Sequence, residues 1–97
     1  SQIEEQIHRD KRLSSNYQVV LTRDGPLDNL EVRCEVQREI SAGLSQDLIA
    51  AIAGELQHHI KTNVGVSTRI TVMPFEGIPR TLTGKAQRVI DQRPKQV

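Results

Sequence analysis

The sequence predicts an α/β fold of two layers, an α+β sandwich with helices on one face of a small sheet. Three observations predict it. Apolar and polar residues alternate on both sides of a glycine–proline turn, an apolar residue recurs every fourth position in mid-chain, and a third alternating run follows. Ninety-seven residues suffice for one domain with one thin core, taken to span residues 1–97.

Ser1 followed by Glu4 fits a capping box, in which each side chain satisfies the other's free backbone N–H. Ile3 and Ile7 then share a helical face, so a short helix is expected from residue 2 to about residue 12. A start this close to the cap suggests a piece of something longer. YQVVLTR (17–23) is the first strand, with Tyr17, Val19 and Leu21 on one face and Val20 on the other. DGPLDN makes the turn. LEVRCEVQ (30–37) is the second strand, with Leu30, Val32, Cys34 and Val36 facing one way and Glu31, Arg33, Glu35 and Gln37 the other.

Ser45 suits the N-cap of a second helix whose stripe is Leu48, Ile52, Leu56 and Ile60, widened by Ile49 and Ala53. Lys61 complements the dipole at its end, and Asn63 or Gly65 stops it. STRITVM (67–73) is the third strand, ended by Pro74; a short VID element near the end is left without a type. The order α-β-β-α-β makes strands two and three parallel. With the most apolar strand in the middle, the expected three-stranded sheet has the order 2-1-3 and a right-handed crossover.

The composition excludes several classes. No apolar run reaches the length of a membrane span, and SQIEEQIHRDKR has no signal-peptide core. A single cysteine, Cys34, precludes an internal disulfide and fits a reducing compartment, so a cytoplasmic location is expected. The net charge of +1 conceals an asymmetry. Residues 80 to 97 carry Arg80, Lys85, Arg88, Arg93 and Lys95 against Asp91, a balance of +4, and the remainder carries −3. A basic end on a slightly acidic body points to an anionic ligand or partner.

Most candidate sites are bland. His58 and His59 are adjacent on a helix, so they diverge by about 100°, and no ligand set at zinc spacing accompanies them. No metal site is expected. Cys34 faces inward as a structural thiol. The acidic residues are read as scattered over solvent faces.

The stretch GIPRTLTGKAQRV (77–89) stands apart, a basic C-terminal loop with no acid within it. It is not a P-loop, because six residues separate Gly77 from Gly84 and Ala86 stands where the Mg²⁺-binding hydroxyl belongs. A base-stacking sheet is disfavoured, since Tyr17 and Phe75 are the only aromatics of their class. Pro79 restricts the chain before Arg80, while Gly84 allows close approach of the backbone to a ligand. Lys85 is then a compact charge suited to a phosphoryl or carboxylate oxygen. The loop from Gly77 to Gly84 is expected to be loosely held by its own domain.

PRTLTGKAQR (79–88) resembles the P-[RK]-T-x-x-G-K-x-x-R signature that closes the C-terminal domain of adenylate-forming enzymes: acyl-CoA synthetases, peptide-synthetase adenylation domains and luciferases. SQIEEQIHR resembles the segment just past their interdomain hinge. HHIKTNVGVSTRITVMPFEGIPR is most similar to the phenylacetate–coenzyme A ligase branch. The resemblance implies a two-step ligase. ATP, with Mg²⁺, and a carboxylic acid (here an aromatic one) give an acyl-adenylate and pyrophosphate; the small domain then rotates, and coenzyme A displaces AMP.

On that resemblance, Lys85 is the catalytic lysine of the first step, and Gly84 permits its approach. Arg80, Thr81 and Arg88 match the signature as loop or phosphate contacts. The partner is an N-terminal adenylation domain of the same chain, which binds most of ATP and Mg²⁺. A detached lid is expected to be inactive alone. The alternative from another class is a stand-alone anion- or nucleic-acid-binding module, which a natural start near Ser1 favours and an upstream ATP-binding loop excludes.

Overall fold

The computed structural model describes residues 2–80 and 88–94. Helix α1 runs over Gln2–Arg9, and its proposed cap, Ser1, lies outside the described residues. Glu4 accepts a hydrogen bond from the Tyr17 hydroxyl. The helix ends three residues earlier than expected. Asp10 leaves the helix to bind the Arg12 guanidinium and backbone amide, and the chain turns there into the sheet.

Strand β1 (Leu13–Asp24) begins four residues earlier than its alternation suggests. Leu13 pairs with Val36 and Tyr17 with Cys34, so β1 uses four residues where its partner uses two. Ser14, Ser15 and Asn16 form this bulge, which breaks the period-two pattern and hides the start of the strand. Gly25 and Pro26 make the hairpin loop between Asp24 and Leu27, and Gly25 takes the positive φ of +61° that the tight turn demands. Strand β2 (Leu27–Val36) runs back antiparallel to β1.

A one-turn helix, α2 (Arg38–Ser41), precedes α3 (Gln46–Asn63). Ser45 caps α3 as expected, its hydroxyl accepting from the Leu48 amide at 3.1 Å. At the other end Gly65, with φ of +88°, donates its amide to the carbonyls of Ile60 and Lys61. Ile52, Leu56 and Ile60 are buried along the expected stripe. Strand β3 (Arg69–Met73) follows, and the VID element proves to be a fourth strand, β4 (Val89–Asp91).

The sheet therefore has four strands in the order β3-β2-β1-β4, which corrects the three-stranded 2-1-3 arrangement. Strands β2 and β3 are parallel, as the crossover by α3 requires, but β3 lies beside β2 rather than beside β1. The far edge of β1 is taken by β4, also parallel. A three-residue strand carries too short a pattern to be typed from sequence. The most apolar strand, β1, is an inner strand as expected, but its second neighbour is β4 and not β3. No helix among the described residues is long and apolar enough to cross a membrane.

Both faces of the sheet are occupied. On one, Tyr17, Val32, Cys34 and Val36 join Ile7, Leu13, Ile52, Leu56 and Ile60 in the main core beneath α1 and α3. On the other, Val20, Glu35 and Ile78 are all at most 1% exposed. The cover there is the chain that leaves β3.

Candidate functional site

The chain after β3 turns at Pro74–Gly77, where the Gly77 amide donates to the Pro74 carbonyl at 2.8 Å. A Cβ on Gly77 would lie 2.9 Å from that same oxygen, so only glycine fits this turn. Glu76 takes a positive φ of +65° in it. The turn is held from the side by α2: the Phe75 amide donates to Ser41 Oγ at 3.0 Å, and the Arg38 guanidinium lies 4.8 Å from the Phe75 ring centre. Ile78 then enters the second face of the sheet, 1% exposed. The expectation of a loosely held loop thus fails for residues 77 to 80.

The centre of this face is Glu35, whose side chain is fully buried. Strand alternation puts it opposite the helices, where sequence reasoning assigned acids to solvent; the segment beyond Pro74 covers it instead. Arg80 meets it with both ends of its fork, Nη1 donating to Oε1 at 2.8 Å and Nη2 to Oε2 at 2.9 Å. Ser14 Oγ donates to Oε2 at 2.9 Å and Asn16 Nδ2 at 3.4 Å. Burial pushes the Glu35 carboxyl up. The Arg80 guanidinium and the Ser14 hydroxyl more than offset it, so the group stays ionised below its ordinary value of 4.5. Arg80 Nη1 also donates to the carbonyl of Ile78 at 2.8 Å.

Arg88, eight residues on, is fixed to the same stretch of β1. Its Nη1 donates to the Ser15 carbonyl at 2.6 Å, and its guanidinium sits 4.6 Å from the centre of the Tyr17 ring. Its own carbonyl accepts from the Val19 amide at 2.7 Å, the first link between β1 and β4. Tyr17 belongs to the helix side of the sheet and Glu35 to the other. The two arginines of the signature therefore hold opposite faces of the β1–β2 ribbon, around the Ser14–Asn16 bulge.

Of the sequence-predicted site residues, Arg80 is thus held by Glu35 of β2 and Arg88 by Ser15 and Tyr17 of β1, on opposite faces, while Thr81, Gly84 and Lys85 lie outside the described residues. Sequence reasoning missed Glu35, Ser14, Asn16 and Ser41. No local signal separates Glu35 from Glu31 on the same strand; only its distant partner does.

Two cations of the basic end are paired within the chain. Arg80 is neutralised by Glu35, and Arg93 binds Asp91 at 2.7 Å and Asp28 at 3.0 Å at the hairpin tip. Arg93 holds the Asp91 carboxyl down to about 2. Cys34 is the buried structural thiol expected of it, pushed up to about 12 by burial and by the nearby charge of Asp10. Tyr17 is 4% exposed and Phe75 is covered by Arg38, so neither described aromatic offers a base-stacking platform. Among the described residues no three of His, Cys, Asp and Glu gather into a metal-binding group.

Comparison with known proteins gives a consistent set of matches. The sequence profile of the AMP-binding enzyme C-terminal domain matches residues 1–93. The chain is 40% identical over 96 residues to the phenylacetate–coenzyme A ligase of Aromatoleum evansii, covering 99% of this chain and 22% of that protein. It is 40% identical over 93 residues to the corresponding ligase of Escherichia coli K12, covering 96% and 21%. The chain spans about a fifth of the length of these relatives.

Among solved structures, a domain of phenylacetate–coenzyme A ligase from Bacteroides vulgatus superposes with a TM-score of 0.82 at 23% identity, covering 98% of this chain and 84% of that one. At that identity the likeness shows the fold. 2-Hydroxyisobutyryl-CoA ligase, solved with 2-HIB-AMP and CoA in the thioesterification state, superposes with a TM-score of 0.78 at 26% identity, covering 94% of this chain and 18% of that one.

Proposed function

The chain belongs to the AMP-binding enzyme C-terminal domain family, and we propose from that premise that it is the lid of an aryl-acid CoA ligase of the phenylacetate type. In this reading it works on an N-terminal adenylation domain of the same polypeptide in the cytoplasm. In the same reading, ATP and Mg²⁺ are bound mainly by that larger domain. Coenzyme A is the second-step substrate, and an aromatic carboxylic acid the first.

The observation that carries the reading is the treatment of the signature by the fold. Arg80 and Arg88, at either end of T-L-T-G-K-A-Q, are both tied to the sheet. Their guanidinium groups are engaged in holding the stem. The work of meeting the substrate then falls to Lys85 between them, with Gly84 beside it. Thr81 follows the anchored arginine directly. The lysine is proposed to meet the oxygens of the acid and of the α-phosphate as negative charge gathers there in adenylation. After the domain rotates for thioester formation, Lys85 has left the reacting centre.

Lys85→Ala in the complete ligase tests this. Removing one positioned donor typically costs about 10²–10³ in rate. Single-turnover pyrophosphate release should fall by that factor, while thioester formation from preformed acyl-adenylate stays near normal. Lys85→Arg should recover little, since a planar fork does not reproduce a compact ammonium. Equal losses in both half-reactions would sink the assignment. The 97-residue chain alone should release no AMP or pyrophosphate from ATP, phenylacetate and coenzyme A.

A further inference from the structure

We propose that Glu35 is a positioning residue for adenylation, acting through Arg80 to fix where the lysine-bearing segment leaves the sheet; this rests on the reading of Lys85 above. Four observations support it. Glu35 lies on an inner strand whose neighbours Cys34 and Val36 are fully buried, so its backbone is among the stiffest points of the fold. Its carboxylate is met by donors from both sides: Ser14 and Asn16 from the β1 bulge, and Arg80 from the segment. Arg80 is the residue immediately before the Thr81–Gln87 stretch. Arg88, immediately after that stretch, is held on the opposite face of the same ribbon.

Stability alone does not call for this arrangement. A buried ion pair is often no better for folding than well-packed apolar residues of the same volume, because two charges must be taken out of water. Ile78 and Val20 show that this face accepts apolar burial. A bidentate guanidinium–carboxylate pair adds direction, since two parallel bonds admit one relative orientation of the two planes. Direction at Arg80 matters to Lys85, five residues on, because a reacting group displaced by about 1 Å can lose up to about 10²-fold in rate.

The test uses the complete ligase and measures both half-reactions in three variants. Glu35→Gln keeps the volume of the side chain and removes its charge; Arg80→Lys keeps the charge and removes the fork. Each should lower the single-turnover adenylation rate by about tenfold or more, with KM for ATP and acid changed less than about twofold and thioester formation from acyl-adenylate intact. The double variant should be no slower than the worse single one, because both break the same link.

Adenylation at the wild-type rate in both variants, alongside a large loss in Lys85→Ala, would overturn the positioning role while leaving the lysine reading in place. Parallel losses in both half-reactions, with a lowered unfolding midpoint, would reduce the pair to a structural tie. An undiminished Lys85→Ala would overturn the lysine reading and this inference together. If Glu35→Gln fails to fold, Arg80→Lys decides the matter by itself, since it leaves the buried carboxylate a cationic partner.

Discussion

Cys34 and Glu35 are consecutive residues of β2, both fully buried, and they are buried by different physics. On the helix side, Cys34 lies among nine mutually packed side chains, and removal of apolar surface from water does the stabilising. On the other side, a carboxylate is excluded from water by a turn that depends on one glycine, and is kept ionised by a guanidinium forty-five positions away. The helix side is generic: any apolar set of the right volume fills it. The loop side is specific, because its partners are set by bond direction as well as by size. The difference separates a part that makes the domain fold from a part that aims the signature segment.

The contrast predicts unequal responses to mutation. The largest stability loss is expected for Leu56→Ala, 1% exposed in the main core, at about 2–5 kcal/mol according to how far the cavity collapses. Urea unfolding of the 97-residue chain measures it, and a loss under about 1 kcal/mol would mean that the helix side is not the dominant core.

Arg80→Met, which strands the Glu35 carboxylate, is expected to cost about 3 kcal/mol, the low end for a broken buried pair because Arg80 itself keeps a quarter of its surface in water. Its pH dependence is more diagnostic than its size. In the wild type the folded-state value of Glu35 is depressed, so its contribution is present above the ordinary carboxylate value and is lost as pH falls through the lower folded value. Without the guanidinium, burial dominates and raises that value. The sign then reverses, and the Glu35 contribution is lost as pH rises through the raised value. The stability gap between wild type and variant should therefore narrow as pH falls from about 7 to about 3. A gap independent of pH would break the contrast, because it would mean that Glu35 does not titrate differently in the two proteins.

The smallest effect concerns Thr68, 6% exposed, whose buried hydroxyl oxygen has no hydrogen-bond partner among the described residues. An unsatisfied buried hydroxyl costs about 1–3 kcal/mol. Thr68→Val should raise stability by about 1 kcal/mol, and a loss of that size would show that the hydroxyl is satisfied in solution.

The sequence by itself determined the helix side of this protein. A period of four from Leu48 to Ile60 and a period of two from Leu30 to Val36 each repeat often enough to name the element and its buried face. Ser45 and Gly65 bound α3 through bonds spanning three to five residues, so they too are legible locally. The signature at 79–88 was legible as a motif. Tertiary structure alone decided the rest. The place of β3 beside β2 depended on the three-residue β4 taking the other edge of β1, and the start of β1 lay inside a bulge that erases alternation. The burial of Glu35 and its pairing with Arg80 likewise belong to no local pattern. Whether a carboxylate on a strand faces water or a cation is settled by which distant segment covers it, and a periodicity carries no information about that.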